Sequence, residues 1–335
     1  MPTIRRRMIV AIGGFGALFV AGLLLAPLVG STDISLLRAF DRTIPFADNL
    51  DAQIFFIARL PRVVAAAVVG GALAAAGVVF QALLRNPLAS PDTLGVSSGA
   101  ALGAMVVITF QVDRPVLGLP AVTVAAGLGS LCALGVVYAL SSGRRRGLST
   151  TVLLLAGVTM TAFITALILF TQYLASFTDT FRTVRWLMGT LDIGGYGPVV
   201  SVLPMLLVAG LLFATLPRTL DLVSFGEDVA ASRGVNLVHA ERAALVSASL
   251  ATGAAVAIGG PIGFIGIVVP HLVRLLVGSD HRIVLPASIL FGAAFLMACD
   301  LVARTMFAPV EIPVGVVTAL VGGPFFLWLL VRNSQ

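Results

Sequence analysis

Few residues in this chain have the type and spacing that chemistry needs. Gly95-Val-Ser-Ser-Gly99 spells G-x-S-x-G, the strand-to-helix elbow that presents a nucleophilic serine in hydrolases. That elbow needs a preceding strand and a supported histidine. Here the motif follows Asn86-Pro87 and opens an apolar run, where close packing accounts for its glycines and serines. Cys132 and Cys299 both lie within apolar runs and show neither disulfide nor metal spacing, and no H-E-x-x-H occurs. All 21 basic side chains are arginine. A P-loop needs a lysine on the β/γ-phosphates, so the chain holds no such ATP site of its own. No catalytic residue, no metal ligand and no cofactor is therefore assigned to it.

The elements that must position any site are membrane helices. Of 335 residues, 59% are hydrophobic and 11% charged, far less charge than a soluble domain of this length exposes. A helix needs about 20 apolar residues to cross the hydrocarbon core. Runs of that kind cover 9–29, 54–84, 94–110, 116–140, 149–174, 194–215, 237–258, 262–278, 283–304 and 312–331, with no soluble stretch between them. The alternating short strands of a β-barrel are absent. The expectation is an all-α, polytopic membrane protein of ten transmembrane helices, residues 1–335 forming a single transmembrane domain. Arg5-Arg6-Arg7 before Ile9–Val29 could pass for a signal peptide, but the apolar stretch is too long and reads as a retained first helix.

Arginine placement sets the expected orientation. With a cytoplasmic N-terminus, 13 arginines fall on the inner side, Arg144-Arg145-Arg146 among them, and 8 on the outer. The bias puts both termini inside. The net charge of +6 reads as topology and not as a nucleic-acid surface. Residues 217–235 break the apolar rhythm on the inner side, mixing Leu220, Leu222, Val223 and Phe225 with Asp221, Glu227 and Asp228. An acidic, small-residue amphipathic segment suits a protein partner better than anionic lipid.

The remaining motifs act together. Arg59-Leu-Pro-Arg62 precedes a small-residue helix, then Gln81-Ala-Leu-Leu-Arg-Asn-Pro-Leu-Ala89, Pro91 and Leu94-Gly95. Gly263-Phe-Ile-Gly266, Pro270-His271 and Asp280-His-Arg282 follow, then Cys299-Asp-Leu-Val-Ala-Arg304, Glu311-Ile-Pro-Val-Gly315 and Gly323-Pro-Phe325. In order and across the whole chain, this series resembles the FecCD family of ABC-importer permeases, which serve iron–siderophore, haem and vitamin B12 uptake.

The resemblance implies the type II ABC importer permease fold and a homodimer, or close heterodimer, in the bacterial inner (cytoplasmic) membrane. It also implies two cytoplasmic ABC ATPase subunits that hold the ATP and magnesium. A periplasmic or lipid-anchored binding protein delivers the ligand. By resemblance, Arg59, Arg62 and Arg304 dock that binding protein. For Arg304 an ion pair with Asp300, one helical turn earlier, stands beside docking. Residues 217–235 would be the cytoplasmic coupling helices, with Gly226, Glu227, Ala230 and Gly234 at family spacing and Arg233 where the family has leucine. Met160, Thr161, Thr165 and Thr318 would lie along the translocation path. His271 belongs to the family's Pro-His pair and takes a structural, not an iron-ligating, role.

Two other functions compete. An ion-coupled secondary transporter would place acids or broken helices at the membrane midplane, and Asp300 is the acid it offers. An intramembrane protease would rest on Ser97 alone.

Overall fold

The computed structural model describes residues 4–112, 114–141, 150–174 and 177–333; the Arg144-Arg145-Arg146 loop lies outside them. Among the described residues there is no strand, only one isolated bridge between Val116 and Leu119. Thirteen helices carry the argument: α1 (Ile4–Leu25), α2 (Leu60–Leu83), α3 (Val96–Thr109), α4 (Ala121–Ser141), α5 (Thr150–Leu174), α6 (Phe177–Leu187), α7 (Gly197–Thr215), α8 (Pro217–Ser224), α9 (Glu227–Ser232), α10 (Leu237–Gly259), α11 (Ile265–Val277), α12 (His281–Thr305) and α13 (Val314–Asn333). Among the described residues, seven spans are long and apolar enough to cross a membrane, and three shorter apolar helices, within α3, α11 and α13, join them. The amphipathic α6 falls between two expected spans, where the sequence reading places no helix.

α2 is the centre of the bundle. Alanine and glycine fill it from Ala65 to Gly77, and 20 of its 24 residues are buried. Because lipid tails are as apolar as the side chains, helix association depends on close backbone approach at small residues. A Cβ added to Gly70 would sit 2.2 Å from the Gly292 carbonyl oxygen of α12, and one on Gly77 would sit 2.0 Å from that of Gly266 on α11. On the other flank, a Cβ on Gly99 of α3 would meet the Gly129 carbonyl of α4 at 2.5 Å.

The helix that becomes α2 begins earlier, at Leu50, and runs through a π-helical stretch, Ile54–Arg59. Pro61 lacks an N–H and its ring crowds the carbonyl four residues back, so the wider π turn relieves the entry. That turn sets Arg59 and Arg62 side by side at one end of the bundle.

Side-chain ties sort the helix ends into two groups. Arg7 donates to Val277 O (2.5 Å), Arg85 pairs with Glu227 (2.9 Å) and His281 meets Asp221 (2.7 Å) at one end. Arg59, Arg62 and Arg304 gather with the α1 terminus and Glu311 at the other. The division of these arginines between two opposite ends follows the division expected from the sequence.

Candidate functional site

At one end of the bundle, Arg59, Arg62 and Arg304 line one open pocket of about 230 Å³ together with Asp192 and Glu311. The guanidiniums do not project outward. Arg59 donates to the carbonyls of Pro27 (3.3 Å), Leu28 (3.1 Å) and Thr32, binding the loop after α1 to the π turn. Arg62 forks between Asp300 (Nε–Oδ1 2.9 Å) and Glu311 (Nη1–Oε2 2.6 Å). Arg304 donates to Ala26 O, and its Nε lies 3.7 Å from the second Asp300 oxygen. The i,i+4 pair weighed from the sequence is therefore present. Asp300 is 1% exposed, so a nearly dry carboxylate stands between two guanidiniums. Three positive groups face two acids, Asp300 and Glu311, while Asp192 pairs at the rim with Arg185 (3.6 Å). Asp33 stands near Arg59 as a further acid, so the three arginines carry no clear surplus of positive charge.

At the opposite end, residues 217–235 form two short helices, α8 and α9, hinged at Gly226 (φ +124°). Gly234 (φ +82°) closes α9: its N–H bonds Ala231 O and the Val235 N–H bonds Ala230 O, the Schellman pattern that favours glycine in the left-handed region. Glu227 pairs with Arg85, which ties α9 to the end of α2. Ala230 is fully buried, so its place is packing beneath α9 and not an outward contact. The surface instead offers Phe225, 77% exposed, and Val229 beside it. Asp221 of α8 accepts from both the backbone N–H (2.9 Å) and ring Nδ1 of His281 at the start of α12. Sequence reasoning weighed Phe225 only as part of an amphipathic pattern; its solitary aromatic ring among acids and alanines was the available signal.

The expected path residues separate. Thr165 on α5 is exposed and donates to Thr161 O (2.7 Å), and Met160 and Thr161 are half-buried. Thr318 is fully buried, its hydroxyl donating to Gly315 O (3.0 Å). Thr161 also donates to the backbone carbonyl of Asp92 (3.2 Å). Thr161 lies about 16 Å along α5 at 1.5 Å per residue, so the 84–95 segment turns back into the bundle and α3 starts near its mid-depth. The Asp92 carboxylate faces Gly263, just before the first turn of α11. Two half-helices thus begin around one acid, which their partial positive N-terminal charges favour. The sequence reading missed Asp92, although a short run after Asn86-Pro87 hinted at an interrupted helix. Ser97 is buried on the first turn of α3, and a helical turn, not a strand, precedes it, so the hydrolase elbow is not formed.

An interlocked bundle of apolar helices, with a charged pocket at one end and an acidic two-helix connector at the other, defines a multi-pass membrane transport protein. The chain belongs to the FecCD transport family, whose model matches residues 18–332. It is 39% identical over 321 residues to the hemin transport system permease protein HmuU of Yersinia pestis, covering 95% of each chain. It is 36% identical over 321 residues to the vitamin B12 import system permease protein BtuC of Vibrio cholerae, covering 95% of this chain and 92% of that one. Among solved structures, an ABC transporter assigned to the metal-chelate type, in an inward-facing conformation, superposes with a TM-score of 0.81 at 31% identity, covering 96% of this chain and 98% of that one.

Proposed function

We propose that this chain is the permease subunit of an ABC importer that carries a metal chelate (iron–siderophore or haem) or cobalamin across the bacterial inner membrane. In this reading the chain crosses ten times with both termini cytoplasmic, pairs with a second copy, and is driven by two ATPase subunits. A periplasmic or lipid-anchored binding protein delivers the substrate. The carrying observation is the placement, at opposite ends of one FecCD-family bundle, of an arginine-lined pocket and an acidic helical connector. A carboxylate of the binding protein enters the pocket lined by Arg59, Arg62 and Arg304, where charge complementarity fixes register. The ATPase grips α8 and α9 through Phe225, Val229 and the backbone hinge at Gly226, with Glu227 and Gly234 holding that shape. The substrate passes along α5, past Met160, Thr161 and Thr165, and along the α13 face behind Thr318. Little charge lines that face, as suits a bulky ligand passed without a tight permease site.

The test is reconstitution in liposomes with the neighbouring ATPase and binding protein, assaying ATP hydrolysis with and without the latter. Stimulation by the binding protein is expected, reduced at least tenfold in Arg62→Glu. An ATPase that never co-purifies, or that ignores the binding protein, overturns the reading. The ion-coupled alternative draws on Asp92 between its two half-helices. Uptake that needs no ATP and collapses with a protonophore would establish it instead.

A further inference from the structure

One open trough lies away from both sites. It holds about 940 Å³ between α1 and the end of α11, and its walls include Arg6, Arg7, Val10, Gly14, Leu18 and Leu276. The polar and apolar parts are segregated. Both guanidiniums sit at the inner end, and beyond them the lining is aliphatic apart from Phe15. Among the described residues no acid lines the trough beside the two cations. Arg7 is held in place by its bond to Val277 O, the last carbonyl of α11, while Arg6 stays exposed. Arg5, the third member of the arginine run, takes no part in the wall, so the trough selects among arginines that topology alone would treat alike.

The floor is open because Gly14 has no side chain, and a Cβ there would meet nothing within 4 Å. From Arg6 to Leu18 the wall rises about 18 Å at 1.5 Å per residue, roughly one leaflet of a 30 Å hydrocarbon core plus its headgroup edge. A basic pocket between helices at the membrane surface suits an anionic headgroup, and the apolar trough below it suits an acyl chain.

We propose that this trough is a binding site for one anionic phospholipid per chain, its phosphodiester held by Arg6 and Arg7 and one acyl chain laid along Val10, Gly14 and Leu18. The chemistry asks for a negative headgroup joined to a chain. A zwitterionic lipid brings a compensating cation to the same two guanidiniums, and free phosphate lacks the chain.

The test is native mass spectrometry of the full-length protein from nanodiscs of equal phosphatidylglycerol and phosphatidylcholine, with melting temperature followed on adding each lipid. One retained phosphatidylglycerol per chain is expected, with at least tenfold preference over phosphatidylcholine. Arg6→Gln should weaken retention about tenfold while leaving the Arg7 anchor intact. Gly14→Leu fills the trough without a clash and should expel the chain, lowering retention by a similar factor in a protein that still melts cooperatively. Equal retention of the two lipids overturns the proposal, as does phosphatidylglycerol retention that neither variant changes, or displacement of the lipid by millimolar inorganic phosphate.

Discussion

Asp300 holds the arginine pocket together. Its carboxylate lies between Arg62 and Arg304, and it is almost fully buried. Removing one member of a buried ion pair costs about 3–5 kcal/mol, because the charge left behind has no solvent. Asp300→Asn should therefore lower stability by that order, measured as thermal or denaturant unfolding in detergent. Glu311 is 31% exposed, and Glu311→Gln should cost about 1 kcal/mol or less, since water replaces the lost partner. Equal losses would mean that the pocket is wetter than its geometry indicates. Asp280 illustrates a second residue-scale effect. It caps α12 through the Arg282 N–H (3.0 Å), and the hydrogen bond from the Arg282 guanidinium holds its carboxyl below the usual carboxylate range. A lowered folded-state pKa contributes stability at neutral pH that fades as pH falls below about 4. Asp280→Ala should cost about 1 kcal/mol at pH 7, with Asp280→Asn close to wild type because asparagine also caps, and the Ala gap should shrink in melts taken near pH 3. The arginines were legible in the sequence as a group needing a reason beyond topology. Their inward turn was not, because the carbonyls that receive Arg59 belong to a loop some thirty residues away.

At the scale of elements, the apolar runs fixed nearly every long helix to within a few residues, since about 20 apolar residues between charged ends leave little freedom. Length alone could not show that α3 and α11 begin inside the bundle. That depends on Gly95, Gly157, Gly77 and Gly266 letting backbones meet, which a single chain of letters does not pair. The pairing makes a sharp contrast between glycines. Gly77→Ala drives a methyl into the Gly266 backbone and should reduce folded yield severely, whereas Gly13→Ala meets nothing within 4 Å and should leave yield unchanged; size-exclusion profiles of the two variants decide it. The two-helix connector of α8 and α9 allows a similar separation. The Arg85–Glu227 pair is partly exposed at both ends, so Glu227→Gln should change stability by no more than about 1 kcal/mol. Phe225→Ala should leave melting unchanged and weaken ATPase co-purification at least tenfold if that exposed ring fills a pocket on the partner. Retained co-purification in Phe225→Ala would remove the ring from the contact.

For the whole molecule, α12 is the element that runs from one charged end to the other, packed against α1, α2, α8, α11 and α13. Its first residue is bonded to α8, its last turns carry Asp300 and Arg304, and between them Gly292 presses on Gly70 of α2. The contact falls near the middle of the 25 residues, where both backbones come within reach of a missing methyl. Mechanically that is a beam on a fulcrum. A rod of this length measures about 37 Å, and a tilt of about 5° about its midpoint moves each tip by about 1.6 Å, in opposite senses. The two tips of such a beam could move only in opposite senses, and a bulkier residue at the pivot would jam it, since a Cβ on Gly292 already falls 2.5 Å from the Gly70 carbonyl oxygen.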